Sequence, residues 1–204
     1  MHTMSSASAR RPPGFEELYR QIEALPQGVT GQILEAGVLT TMSRPGVAHE
    51  WTLGGVEESL RDFSVRRGGR GWWILREMEI RFPAERLAVP DLAGWRVDRV
   101  PALPRDNPML VLPDWCCEVL SPSTTRDDRL LKLPLYAEAG VRWIWLVDPE
   151  LRSVEVYESV DGRATQIAVA RDDERIAPPP FEAGLDVGAW WTPALAAPTG
   201  IHSP

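Results

Sequence analysis

The sequence predicts an α/β layer fold, and three observations carry that prediction. Helix-period and strand-period apolar patterns follow one another in the order α, β, β, β, α, β. No internal repeat or linker divides the 204 residues, 44% of which are hydrophobic, enough for one full core. No apolar run approaches the roughly 18 residues that a membrane-spanning helix needs.

Each element has its own signal. Residues 1–13 carry Ser, Ala and Arg but no apolar stretch, and are expected to form a disordered tail before a single domain over residues 14–204. Phe15, Leu18, Tyr19, Ile22 and Leu25 fall at helical spacing, and Pro26 stops that helix. Residues 33–42 are β-rich and read as a strand or hairpin. Arg44, Pro45 and Gly46 form a turn, after which a helix runs over about 48–63. The basic, glycine-rich stretch 66–71 is a loop, either a plain strand connection or a basic loop near nucleic acid.

A strand over 72–82 follows, then a connection over 83–88 and a second strand over 89–97. A long loop over 98–112 holds Pro101, Pro104 and Pro108, and a third strand covers 113–120. Thr125 and Asp128 suggest a capping box opening a helix that ends at Ala139 with Gly140 just beyond. Pro134 should kink or shorten it. A strongly apolar strand over 141–147, a hairpin about Asp161 and Gly162, and a proline-rich C-terminal segment complete the chain.

Composition narrows the function. A net charge of −7 argues against a broad, sequence-independent nucleic-acid surface, because phosphate binding relies on Lys and Arg. It is compatible with a carboxylate-lined metal site. Cys116 and Cys117 are adjacent in a strand, so their side chains point to opposite faces and no disulfide joins them. They read as reduced core cysteines of a cytoplasmic protein. Most of the nine tryptophans fall in strand-like segments, where core packing explains them.

Of the 22 Lys and Arg residues only Lys132 is a lysine. Lys is a compact point charge that can address a single oxygen, and Arg is a planar fork. A solitary lysine in an arginine-rich chain therefore suggests work that arginine cannot do. Near it stand three acids. If strands 72–82 and 89–97 form a hairpin about 83–88, Glu79 falls opposite Asp91 or Leu92. Pairing of 89–97 with 113–120 then brings Asp91 opposite Glu118, within a residue or two. Strands lie about 4.8 Å apart, so the three carboxylates could line up across the sheet. Glu118 sits in an apolar segment, where an acid is costly unless paired or metal-bound. Asp114, about 13 Å from Glu118 along the strand, belongs to the strand entrance.

The segments Pro90–Asp91–Leu92, 113–124 (PDWCCEVLSPST), Lys132, Tyr136, Gly140–Val141 and 145–149 (WLVDP) resemble the bacterial "putative restriction endonuclease" family of the PD-(D/E)XK nuclease superfamily. The resemblance spans roughly residues 30–160. It implies a restriction-endonuclease-like αβββαβ core, a mixed central sheet flanked by helices, and Mg²⁺-dependent hydrolysis of nucleic acid, with DNA the expected substrate and Mn²⁺ an expected substitute. Asp91 matches the superfamily's metal-binding aspartate and Glu118 its second acid. Leu120 stands where the pattern wants lysine, and Lys132 fits a lysine moved to the following helix.

The expected metal ligands are thus Glu79, Asp91 and Glu118, and the expected catalytic residues Asp91, Glu118 and Lys132. His49–Glu50 resembles a histidine-containing stretch of the family and is secondary. A homodimer is also expected, with Trp190 and Trp191 either at its interface or covering the core. The rival reading is a nuclease-fold binding or regulatory module that does not cleave. A basic rim around the acidic site would favour the nuclease, and an acidic face the module.

Overall fold

The computed structural model describes residues 11–42 and 45–193. Most of the expected tail, and Arg44 of the expected turn, lie outside these residues. Two antiparallel hairpins and a longer mixed sheet organise the chain. Helix α1 (Phe15–Glu23) buries Phe15, Leu18 and Ile22 against a four-stranded sheet of order β2-β1-β5-β4. Its strands are β1 (Thr30–Glu35), β2 (Val38–Met42), β4 (Ile80–Phe82) and β5 (Arg86–Ala88). The six-stranded sheet has the order β10-β9-β8-β7-β6-β3. It contains β3 (Trp72–Arg76), β6 (Leu92–Arg96), β7 (Trp115–Val119), β8 (Trp143–Asp148), β9 (Ser153–Val160) and β10 (Arg163–Arg171). In this sheet β7 and β8 pair in parallel, and the other four pairings are antiparallel. The sheet is therefore mixed, as an αβββαβ order requires.

The long strand expected over 72–82 is broken in two. Glu77 takes φ 49 and ends β3, so the hairpin bends from the six-stranded sheet into the four-stranded one. Its loop is also shorter than residues 83–88. Phe82 pairs with Arg86, leaving Pro83, Ala84 and Glu85 as a three-residue loop in which Ala84 and Glu85 take φ 57 and 58. Two of its three residues have positive φ, although neither is Asn or Gly, the residues that usually take that conformation. The expected turn at Asp161 and Gly162, with φ 49 and 73, is a two-residue turn between the paired Val160 and Arg163, the geometry that matches strand twist.

The two faces of the six-stranded sheet are covered differently. Trp115, Cys117 and Val119 of β7 face a cluster built with α2 (Val47–Ser59) and the C-terminal segment. Cys116 faces the cluster built with α4 (Leu133–Ala139). The cysteines are free and buried on opposite faces, and burial raises both thiols well above their ordinary range, so they are unreactive core residues. The proline-rich C-terminal segment straps the first face. Trp190 and Trp191 are buried, Thr52 Oγ1 donates to the Trp190 carbonyl at 3.0 Å, and Trp190 Nε1 donates to Ser59 Oγ at 2.8 Å. These tryptophans cover the core of their own chain.

Candidate active site

A buried carboxyl sets the problem at Glu118. It is 1% exposed in β7, and an isolated carboxylate there would be very costly. The helix that follows answers it. Lys132 Nζ lies 2.9 Å from Glu118 Oε2, and Tyr136 donates its hydroxyl to Glu118 Oε1 at 2.5 Å. Lys132 also lies 2.9 Å from Asp128 Oδ1. Asp128, Lys132 and Tyr136 recur at four-residue spacing, so one helix face carries all three. That spacing was legible in the sequence, but Asp128 read as a cap. The structure places it in the ion pair, while Thr125 Oγ1 donates to the Ser121 carbonyl at 2.7 Å.

The helix is not regular here. α3 (Thr125–Asp127) passes into a π turn over Asp128–Lys132 before α4 begins. Pro134 has no N–H to give to the preceding turn and its ring crowds the carbonyl four residues back, so the expected irregularity appears as a widened turn. Such turns are common at functional sites. Arg129 anchors this one to β9 by two hydrogen bonds to Glu155, at 3.0 and 2.6 Å. The Arg129 hydrogen bonds, partly offset by burial, hold the Glu155 carboxyl below its ordinary value. Its contribution to stability is therefore present above about pH 4.5 and is lost as the pH falls from there. Glu155→Gln is expected to lower the melting temperature at pH 7 and to converge on wild type in acid. A pH-independent difference in melting temperature would show that the pair is not the source.

Asp91 stands at the end of β6. Leu92 pairs with Cys117 and Ala93 with Cys116, so the register carried one step further sets Asp91 beside Glu118, as expected. Both line one cavity. Asp91 Oδ2 accepts from Val119 N at 2.7 Å and contacts His49 Nε2 at 3.1 Å. His49, in the first turn of α2, is buried with Asp91. Burial lowers its basicity, but the Asp91 hydrogen bond and charge, with Glu50, raise it overall. Its Nδ1 has no hydrogen-bond partner among the described residues.

Glu79 does not join this group. The short loop over residues 83–85 moves the register by two positions, so Glu77 N, not Glu79, meets the Asp91 carbonyl, at 3.3 Å. Glu77 lines the cavity. Glu79 accepts instead from Tyr19 OH at 2.7 Å and Asn107 Nδ2 at 2.9 Å. Asp114 keeps its expected place at the strand entrance, accepting from Arg96 N at 2.8 Å and pairing with Arg99 Nε at 2.8 Å. The basic stretch 66–71 precedes β3, whose far end reaches the site, so it lies about 13 Å or more away along the strand and serves as a strand connection.

The electrostatics follow from crowding. Burial pushes the Glu118 carboxyl up to about 8; Lys132 opposes this, and Asp128 and Asp91 add to it. Burial alone would lower Lys132, yet Glu118, Asp128 and Asp91 hold it above its ordinary value. Three carboxyl groups crowd one ammonium, and a divalent cation would favour their ionised forms. Among the described residues no three His, Cys, Asp or Glu side chains are placed to hold a metal ion by themselves. Mg²⁺ needs fewer, one or two carboxylates with water and substrate oxygens completing the shell. Asp91 and Glu118 fit that mode, with both Asp91 contacts falling on Oδ2 and Oδ1 left for another partner.

A crystal structure described as "a putative nuclease belonging to DUF820 from Anabaena variabilis ATCC 29413" superposes with a TM-score of 0.70 at 20% identity, covering 88% of this chain and 98% of that one. At that identity the likeness is one of fold. No curated protein matches the chain. The Uma2 family model, described as "Putative restriction endonuclease", matches residues 15–192, nearly the whole of the described chain, and the protein belongs to that family.

Proposed function

We propose that this protein is a divalent-metal-dependent nuclease that hydrolyses phosphodiester bonds, DNA first among its substrates, in a cytoplasmic setting. The observation that carries the reading is Lys132 Nζ at 2.9 Å from Glu118 Oε2, both lining one cavity with Asp91. Asp91 and Glu118 would hold the ion, Mg²⁺ or Mn²⁺, which when bound acts as a Lewis acid and makes water a better nucleophile. Hydrolysis joins a water oxygen to phosphorus, breaks the phosphorus–oxygen bond to the leaving strand, and passes a proton to that oxygen. Lys132 places a fixed positive charge where negative charge gathers on the phosphoryl oxygens. Glu118, Asp128 and Tyr136 fix that ammonium, and His49 and Val119 N fix Asp91.

Incubation with supercoiled plasmid and single-stranded DNA, with Mg²⁺ or Mn²⁺ and again with a chelator, tests this. Metal-dependent nicking, abolished in Asp91→Asn, is expected. Cleavage unaffected by chelator or by the substitution would overturn it. A second reading has an observation in its favour. Among the described residues the cavity lining holds Glu77, Asp91, Glu118, Asp128 and Glu150, with Lys132 its one Lys or Arg. A predominantly acidic wall suits a non-cleaving module, which would bind its ligand with no turnover under any metal.

A further inference from the structure

Of the nine tryptophans, Trp51 alone is exposed, at 51%. It stands on α2 three residues after Ala48, which lines the cavity, and residues at that spacing are neighbours on a helix surface. Val47, one turn before it, is also exposed. Trp51 makes no ring contact among the described residues, whereas Trp115, Trp145, Trp190 and Trp191 pack ring against ring in the core. A large, rigid aromatic left in water beside a candidate active site is a stacking surface.

The cavity itself measures about 440 Å³, the scale of a small-ligand pocket. Small or apolar residues (Gly28, Thr30, Met42, Gly46, Ala48 and Pro122) form one part of its wall. The buried Nδ1 of His49, also in the wall, lies 3.7 Å from Glu50 Oε1 but has no hydrogen-bond partner among the described residues, and buried polar atoms ordinarily have one. A pocket of this scale admits one nucleotide only when it is unpaired, as in a single strand or drawn out of a duplex.

Charge points the same way. A duplex presents about one phosphate charge per 1.7 Å, and proteins grip it through Lys and Arg. Here Lys132 is 2% exposed and paired with two carboxylates. Arg76 is committed to Glu50 and Glu57, and Arg129 to Glu155. Among the described residues Arg126 stays largely exposed beside Thr124 of the lining, a narrow basic surface for a duplex backbone. Single strands depend less steeply on charge and gain from stacking instead.

We propose that the cavity over Asp91 and Lys132 takes one unpaired nucleotide of single-stranded nucleic acid, and that Trp51 stacks on the neighbouring base. The substrate class rests on the nuclease reading above. The stacking role does not.

Fluorescence anisotropy of the full chain with one labelled deoxyoligonucleotide tests the inference, presented as a single strand, as a blunt duplex, and as a duplex with one unpaired nucleotide. The single strand and the bulged duplex are expected to bind at least about tenfold more tightly than the blunt duplex. Trp51→Ala should weaken single-strand binding about tenfold, with Trp51→Phe restoring most of it. Trp51 is exposed, so neither change should alter the melting temperature. Gly46→Phe adds a side chain at a cavity-lining position where a Cβ would meet nothing within 4 Å, and should weaken binding without unfolding the chain.

Equal binding of blunt duplex and single strand, no binding to any strand, or indifference to Trp51→Ala overturns the inference. Cleavage assays on the same strands separate the two readings. Robust cutting of blunt duplex leaves the nuclease standing and removes the single-strand preference. Selective, Trp51-dependent binding without cutting removes the nuclease and keeps the stacking site.

Discussion

Lys132→Ala is expected to destabilise the fold by about 3–5 kcal/mol, because it leaves buried carboxylates without their cation. For a chain of this length that corresponds to a fall in melting temperature of roughly 6–20 °C. The ammonium is 2% exposed and lies 2.9 Å from both Glu118 Oε2 and Asp128 Oδ1, so no water can take its place cheaply. From the sequence, loss of the lysine would be expected to cost cleavage alone; its burial adds the structural penalty. Lys132→Arg keeps the charge but forces a larger fork into a filled site, an overpacking cost of about 1–3 kcal/mol. Cleavage by the folded fraction of either variant should fall about a hundredfold. Lys132→Met with Glu118→Gln and Asp128→Asn removes the charges together, and should recover much of the melting temperature but none of the cleavage. Thermal melts alongside single-turnover cleavage measure both effects. An Ala variant with native melting temperature would show that the ion pair is not a buried one, and native cleavage by the Arg variant would remove the special role of lysine.

Asp91→Asn is expected to do the reverse, losing function while keeping the fold. Its side-chain carbonyl can still accept from Val119 N, where Asp91 now does so at 2.7 Å. The lost charge is one of those that push the Glu118 carboxyl upward, so its removal lets Glu118 ionise more readily and relieves crowding. Stability at pH 7 should be unchanged or slightly higher. Metal-dependent cleavage should fall at least about a hundredfold, the scale of losing one electrostatic element of a site. Titration calorimetry with Mg²⁺ or Mn²⁺ gives a readout independent of cleavage: wild type should bind and the variant should bind weakly or not at all. Identical metal binding by the two proteins would show that Asp91 is not a ligand.

His49 links the two halves of this site and was the residue least distinguished by sequence. A histidine in the first turn of a helix is commonly a satisfied surface group. Its contact with Asp91 crosses 42 positions of chain and depends on α2 lying against the end of the sheet. Glu79 failed for a related reason. Its alternation with Glu77 put both on one strand face, and only the length of the hairpin loop decides which of them meets Asp91. Ala84 and Glu85 adopt positive φ without Asn or Gly to announce it, so a short turn was not visible in the residues.

Other features needed no tertiary information. Apolar periodicity located α1, the helix after the turn at Pro45, and the strands of the mixed sheet, because burial of one face demands a repeat of 3.6 or 2 residues. The adjacency of Cys116 and Cys117 settled that they face apart. Glu118 drew notice as an acid in an apolar run, and Lys132 as a solitary lysine, and the two meet at 2.9 Å.

What the chain determined by itself was therefore the order of elements, the family resemblance and the pair Glu118–Lys132, all of which follow from local pattern and residue chemistry. The tertiary structure alone decided which glutamate stands beside Asp91, that Asp128 and Tyr136 share the Glu118 network, and that Trp190 and Trp191 are spent on the core while Trp51 is left outside. Those outcomes turn on loop length, helix irregularity and the packing of distant segments. Such quantities depend on contacts between residues far apart in the chain, and no local pattern records them.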